Sequence, residues 1–196
     1  MKKKRNIFQI LGFLLIFLSL AVLGGREVLG IWSSQRSEAL LQRIEPMLPP
    51  RTAGIPEARS DPDMPVLQLD GEDFCAIVSV PSFGVTLPVG NEWSEGPFML
   101  YPHRFWGGVY DHSLIIGGSG GKGQFDFFGR LDLGDRVVIT DMTGAQYSYE
   151  VGRIDRSRHV DMQTLRKTES DLILFARDET SLDHIIVRCI YSPYAG

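Results

Sequence analysis

Leu172-Ile173-Leu174-Phe175-Ala176-Arg177 and, a short polar segment later, Asp183-His184-Ile185-Ile186-Val187-Arg188-Cys189 decide how this chain is read. Each run has the length and the β-branched and aromatic content of a strand, and Arg177-Asp178-Glu179 reads as the charged turn between them. Side chains alternate along a strand, so His184, Ile186 and Arg188 share one face and Ile185, Val187 and Cys189 the other. Cys189 is therefore expected on the apolar side, away from His184, as a buried and inert thiol.

Upstream, the same grammar repeats. Ala76–Val80, Gly84–Val89, Ser113–Ile116, Arg136–Thr140 and Gln146–Val151 read as short strands. Asp141-Met142-Thr143-Gly144 lies between the last two and marks a hairpin. Seven or more short strands with little helix between them predict an all-β barrel or sandwich. Asn91–Tyr110, aromatic and punctuated by Gly and Pro, and Arg156–Ser170, polar with a short helix expected around Met162–Leu165, read as long functional loops.

The N-terminal third has a different character. Met1-Lys2-Lys3-Lys4-Arg5 is a basic cluster, and Ile7 to Gly25 comes next without a charge. As a helix that run spans about 28 Å, close to the hydrocarbon thickness of a bilayer. Positive charge ahead of it keeps the N-terminus cytoplasmic and the rest of the chain outside. A cleaved leader would have a shorter apolar core, and Gly24-Gly25-Arg26-Glu27 is a poor cleavage site, so residues 1–25 are expected to be an uncleaved membrane anchor. Residues 26–45 read as a helical juxtamembrane stalk, with a partner-binding helix as the alternative. Residues 46–66 hold Pro46, Pro49, Pro50, Pro56, Pro62 and Pro65, and read as an extended tether. Residues 67–196 then form the folded domain.

Composition excludes little else. The 196 residues are 43% hydrophobic and 22% charged, ordinary for a globular chain, and a net charge of −4 argues against nucleic acid as a partner. Cys75 and Cys189 are too few for a disulfide scaffold, although one bridge between them is open in an extracytoplasmic setting.

Four segments together resemble the sortase family. Ile77-Val78-Ser79-Val80-Pro81-Ser82-Phe83-Gly84-Val85-Thr86-Leu87-Pro88-Val89 is similar to the family's first hairpin. Ser113-Leu114-Ile115-Ile116-Gly117-Gly118-Ser119 sits where sortases carry a strand ending in Gly-His, and the glycine-rich segment after it has a class B flavour. Phe127-Phe128-Gly129-Arg130-Leu131-Asp132-Leu133-Gly134-Asp135 with Gly144–Val151 is the third segment, matching two family motifs in succession, and the closing strand pair is the fourth. The resemblance covers roughly Phe74 to Tyr191. It implies an eight-stranded β-barrel with short helices behind an N-terminal transmembrane helix and stalk. It also implies a cysteine transpeptidase that attacks a sorting signal, forms an acyl-enzyme and passes it to an amine on the cell wall or on a pilin.

The reacting positions depart from that pattern. The histidine position holds Ser119, the cysteine position Arg177 and the arginine position His184, or Asp183 if the turn shifts by one. A guanidinium stays protonated and has five donors but no nucleophile, so the covalent route is lost on this alignment. Three readings are open. The first is a catalytically degenerate sortase-family protein that binds a sorting-signal segment, a pilin subunit or another sortase. The second is an active transpeptidase with its nucleophile relocated to Cys189 or Ser119. The third is an unrelated β-barrel binding module.

The remaining motifs are weaker. Gly117-Gly118-Ser119-Gly120-Gly121 matches the G-x-S-x-G elbow, but glycines stand where a helix is needed. Gly123 and Ile116 break the pattern of a phosphate loop. His103, His112, His159 and His184 lack metal-ligand spacing. No cofactor is expected.

Overall fold

The computed structural model describes residues 2–57, 63–93, 99–166, 170–179 and 181–193; of residues 2–10, 18, 20–24, 26, 27, 29 and 162 only the backbone is described. In chain order the elements are α1 (Lys2–Ile44), β1 (Thr52–Ala53), β2 (Leu67–Leu69), β3 (Glu72–Val80), β4 (Val85–Gly90), β5 (His103–Trp106) and β6 (Leu114–Ser119). They continue with β7 (Arg136–Asp141), β8 (Ala145–Ser157), α2 (Met162–Arg166), β9 (Leu172–Arg177) and β10 (His184–Tyr191).

Eight of the strands close into a ring. The path runs β3, β4, β5, β6, β9, β10, β8, and β7 joins β8 back to β3. The two short strands stay outside: β2 pairs with the start of β3, and β1 lies parallel to the start of β8. Closure removes the free sheet edges of the barrel. Within the ring the long strand β8 pairs with β7 through Gln146–Glu150 and with β10 through Tyr149–Ser157. Opposite Arg188 and Cys189 the register jumps from Arg153 to Val151, so Gly152 is the extra residue of a bulge that bends the strand around the barrel.

Alternation fills the interior. Val78 and Val80 of β3, Leu114 and Ile116 of β6, Leu172, Leu174 and Ala176 of β9, and Ile185, Val187 and Cys189 of β10 meet Phe125, Phe127 and Phe128 in one apolar cluster. Residues one step along each strand point outward into two further clusters. Phe74, Ile77, Tyr101 and Met142 meet Leu40 and Ile44 of α1 on one flank. Ile115, Ile173, Phe175 and Ile186 meet Leu165 of α2 on the other. The β7–β8 turn is held by Asp141, fully buried. Its carboxylate accepts bonds from the Thr143 and Ala145 amides at 2.8 and 3.0 Å and from the Tyr110 hydroxyl at 3.0 Å. Gly144, at φ 83°, completes that turn in a conformation other residues rarely take.

Three expectations change here. Asn91–Tyr110 is not all loop: His103–Trp106 forms β5, hidden because its four side chains are polar or aromatic and only partly covered. Residues 26–45 are not a free-standing stalk, since α1 runs unbroken to Ile44 and its second half lies on the barrel. The docking face is Gly30, Ser33, Ser37, Leu40 and Ile44, spaced by three and four, while Val28, Ile31 and Trp32 stay exposed. Glycine and serine carry no apolar signal, so this face is invisible to a hydrophobicity pattern. The described part of 46–66 is likewise held close: Thr52–Ala53 pairs with β8, and Met64 is buried in the barrel cluster.

Among residues whose side chains are described, no helix is long and apolar enough to cross a membrane. Much of the segment read as the anchor, 7–25, lies outside those residues.

Because Leu40 is 1% and Ile44 0% exposed, Leu40→Ala and Ile44→Ala are each expected to cost about 2–5 kcal/mol. Urea unfolding of the full chain measures this; a free stalk would leave the midpoint unmoved.

Candidate functional site

The register between β6, β9 and β10 sets the site. Ser119 lies opposite Arg177 in the parallel β6–β9 pair, and Arg177 lies opposite His184 in the antiparallel β9–β10 pair. Ser157 of β8 lies opposite His184. Paired strands run about 4.8 Å apart, so these residues form one row across the outer face of the barrel, at one end of it. The three positions singled out in the sequence are thus brought together.

Behind the row the face is apolar. Gly117, Phe175 and Ile186 form the next rank by the same registers, and Ile115 and Ile173 lie beyond. Leu165 and Val160 cover them from the β8–β9 connection, while Trp93 and Phe105 close the side. The rings of Trp93, Phe105 and Phe175 lie 5.3 to 5.7 Å from one another. A Cβ at Gly117 would fall 2.4 Å from both Phe175 and Trp93, so the rings occupy the room that only glycine leaves. The aromatic segment announced these rings by composition; nothing in it announced their convergence on Gly117.

Each member of the row has a distinct state. Ser119 is turned into the loop after it: its Oγ accepts the Gly121 amide at 3.0 Å, and its own amide donates to Oε1 of buried Gln124 at 2.9 Å. Among the described residues no histidine hydrogen-bonds Ser119. The chain beyond it turns through Phe128–Arg130 without an α-helix, so the nucleophile-elbow geometry is missing. Arg177 is exposed, with Nε donating to the Leu182 carbonyl at 3.4 Å across the β9–β10 turn. It has no carboxylate partner among the described residues. His184 is half-buried, and its Nδ1 is enclosed without a hydrogen-bond partner among those residues.

A charged group lies on the same face further in. Arg188 donates from Nε to Asp155 at 2.9 Å, and Arg153 donates to the same carboxylate at 2.7 Å. Burial pushes the Asp155 carboxyl up, but the bonds from Arg188 and Arg153 outweigh it and hold the group below its ordinary value. None of the three belongs to a motif, and strand alternation alone placed Arg188 on this face in the sequence.

The two thiols are elsewhere. Cys189 and Cys75 are both 0% exposed, both free, and both in the interior cluster. The bridge left open by the sequence is not formed. Burial pushes each thiol up to about 12, so neither supplies a thiolate near neutral pH. Cys189 is therefore on the wrong face and in the wrong protonation state to serve the groove.

Of the other histidines, two have ring partners. His103 stacks on Tyr101 at 4.9 Å and its Nδ1 is 2.7 Å from the Glu92 carbonyl; burial lowers its pKa. His112, at φ 55°, lies 2.9 Å from Asp171. His159 is exposed beside Ser157. Among the described residues no three His, Cys, Asp or Glu side chains converge as a metal site.

No family profile and no curated protein matches the chain. Solved structures do. Sortase A from Corynebacterium diphtheriae, a lid mutant, aligns over 62% of this chain and 71% of its own with a TM-score of 0.53 and 19% identity. Sortase C-1 from Actinomyces oris aligns over 60% and 73% with a TM-score of 0.51 and 21% identity. Sortase C1 from Streptococcus agalactiae aligns over 60% and 67%, with a TM-score of 0.51 and 20% identity. The barrel has the sortase fold. At these identities the likeness is one of fold, and the sortase-like barrel keeps its architecture around a row that holds no thiol.

The buried thiols carry a pH signature. In the unfolded chain they ionise near 9, whereas in the fold they hold their protons to about 12. The unfolded state therefore binds fewer protons between those values, and stability is expected to fall as pH rises through that window, by up to about 1.4 kcal/mol per pH unit for each thiol. Urea midpoints measured from pH 8 to 10.5 check this, and Cys75→Ala/Cys189→Ala is expected to flatten the slope.

Proposed function

We propose that this protein is a membrane-anchored, extracytoplasmic member of the sortase family that has lost transpeptidase chemistry. It acts by binding an extended peptide on the outer face of β6, β9 and β10: a sorting-signal segment, a pilin segment or a segment of a partner sortase. The observation that carries this reading is the in-register row Ser119–Arg177–His184, with both thiols of the chain sealed on the opposite side of the sheet.

The physical argument is one of what remains after a nucleophile is removed. Arg177 offers donors suited to a carboxylate or a backbone carbonyl. His184 stands half-buried beside it, and Phe175, Ile186 and Trp93, packed with Leu165 and Val160, form the covered apolar base that holds the row in place. Such a surface positions an extended chain but has no group to attack it. Loss of the attacking group leaves binding and polarisation alone.

The anchor is supported by α1. Leu11, Phe13, Leu14, Leu15, Ile16 and Phe17 are all exposed to the surroundings of the protein. A helix that is apolar on every side needs lipid or another protein around it.

The test uses the full chain in detergent, because Leu40, Ile44 and Met64 belong to the folded unit. Labelled sorting-signal peptides are titrated by fluorescence anisotropy, with hydroxylamine present to trap an acyl-enzyme. Binding without hydroxamate is expected, with Arg177→Ala weakening it about tenfold, the size of a lost charge-assisted hydrogen bond. Thiol-dependent cleavage would sink the proposal. As a gain-of-function counterpart, Ser119→His/Arg177→Cys/His184→Arg is expected to become alkylated by iodoacetamide at position 177, where the unaltered chain is inert.

A further inference from the structure

The docked half of α1 has a direction. Among the described side chains its first contact is Gly30, where a Cβ would lie 2.6 Å from the Cβ of Lys122. Ser33 then donates to the Leu100 carbonyl at 2.7 Å, and Ser34 packs on Gly123. Arg36 pairs with Glu72 at 2.9 Å. Leu40 and Ile44 reach Phe74 and Tyr101, and Arg43 pairs with Asp70. The helix therefore enters beside the loop after Ser119 and leaves beside the β2–β3 turn, about 21 Å further on.

The entry point belongs to the same barrel end as the row. The Gly120 amide donates to the Arg177 carbonyl at 3.2 Å, and a Cβ at Gly121 would lie 2.4 Å from the Glu179 carboxylate. Lys122, which meets Gly30, is thus joined through two residues to the β9–β10 turn. The opposite end holds the β2–β3 and β7–β8 turns, where a Cβ at Gly144 would lie 2.6 Å from the Pro49 carbonyl.

We infer that the barrel sits on the membrane with its Ser119–Arg177–His184 end against the lipid headgroups. The inference rests on residues 7–25 being the anchor. Gly25 precedes Gly30 by about 7 Å of helix, too short for the barrel to stand off. No break separates the two parts of α1, so the docking contacts transmit the tilt of the span directly to the barrel. The free face fits such a position. Trp32 is 60% exposed beside exposed Val28 and Ile31, and Leu182, at φ 62°, stands 54% exposed in the β9–β10 turn. Indole and aliphatic tips of this kind settle at the headgroup level. Arg156 and Arg158 lie 3.7 Å from Asp178 and Asp183, so the seating is set by the helix and the apolar tips, not by a polybasic attraction.

The full chain is reconstituted into phosphatidylcholine–phosphatidylglycerol vesicles containing a nickel-chelating lipid. Spin labels are placed at Leu182→Cys or Arg158→Cys on the row's end and at Met47→Cys on the other, about 33 Å of helix beyond Gly25. Cys75 and Cys189 are sealed and stay silent. Nickel-induced relaxation is expected to be several-fold stronger at 182 and 158 than at 47. Equal or reversed effects, in a chain that floats with the vesicles, overturn this orientation alone. A chain that does not float with them overturns the anchor and the orientation together.

Discussion

The parallel ladder between β6 and β9 is the constraint on which the rest of the structure depends. It is the one long parallel contact of the barrel, running in register from Leu114 opposite Leu172 to Ser119 opposite Arg177. Leu114, Ile116, Leu172, Leu174 and Ala176 face inward along it, while Ile115, Gly117, Ser119, Ile173, Phe175 and Arg177 face outward. A slip of one residue would exchange the two sets, sending a guanidinium into an apolar interior. The apolar pattern therefore fixes the register, and the register fixes the row. The core and the candidate site are two sides of a single decision.

The same ladder explains how the residues of the row can vary without loss of fold. The ends of β6, β9 and β10 are covered only in part, so Ser119, Arg177 and His184 carry little of the packing. Gly117, Phe175 and Trp93, one rank inward, are mutually constrained by contacts that leave no room for a Cβ. Reacting groups at the rim can change while the floor beneath them stays. The thiols behave oppositely: Cys75 and Cys189 are packing residues of the interior, and their burial is what suppresses their reactivity.

Helix α1 adds a second, independent constraint. Small residues at Gly30, Ser33 and Ser37 let its backbone approach the barrel, and Leu40 and Ile44 then complete an apolar cluster with Phe74, Ile77 and Tyr101. The second half of α1 is thus part of the folded unit, and beyond it Thr52–Ala53 and Met64 are held on the barrel. The pairs Arg36–Glu72 and Arg43–Asp70 are exposed and contribute little beside that burial.

Much of this was legible in the chain. Side-chain alternation along His184–Cys189 named its inward and outward faces correctly, because successive side chains of one strand point to opposite sides of the sheet. The hairpin at Asp141–Gly144 was readable from local turn chemistry, and the short helix near Met162 was expected within its polar segment. Strand β5 was not, since its side chains sit on a mixed surface with no alternation to read. The docked face of α1 escaped for a related reason: close backbone approach selects glycine and serine, which hydropathy does not register. By itself the sequence determined the alternation of faces, and with it the separation of Cys189 from His184, because that is a property of one strand. Only the tertiary structure decided that Ser119, Arg177 and His184 stand side by side and that α1 enters at their end of the barrel. Those relations depend on pairing between strands far apart in the chain and on contacts that no local pattern encodes.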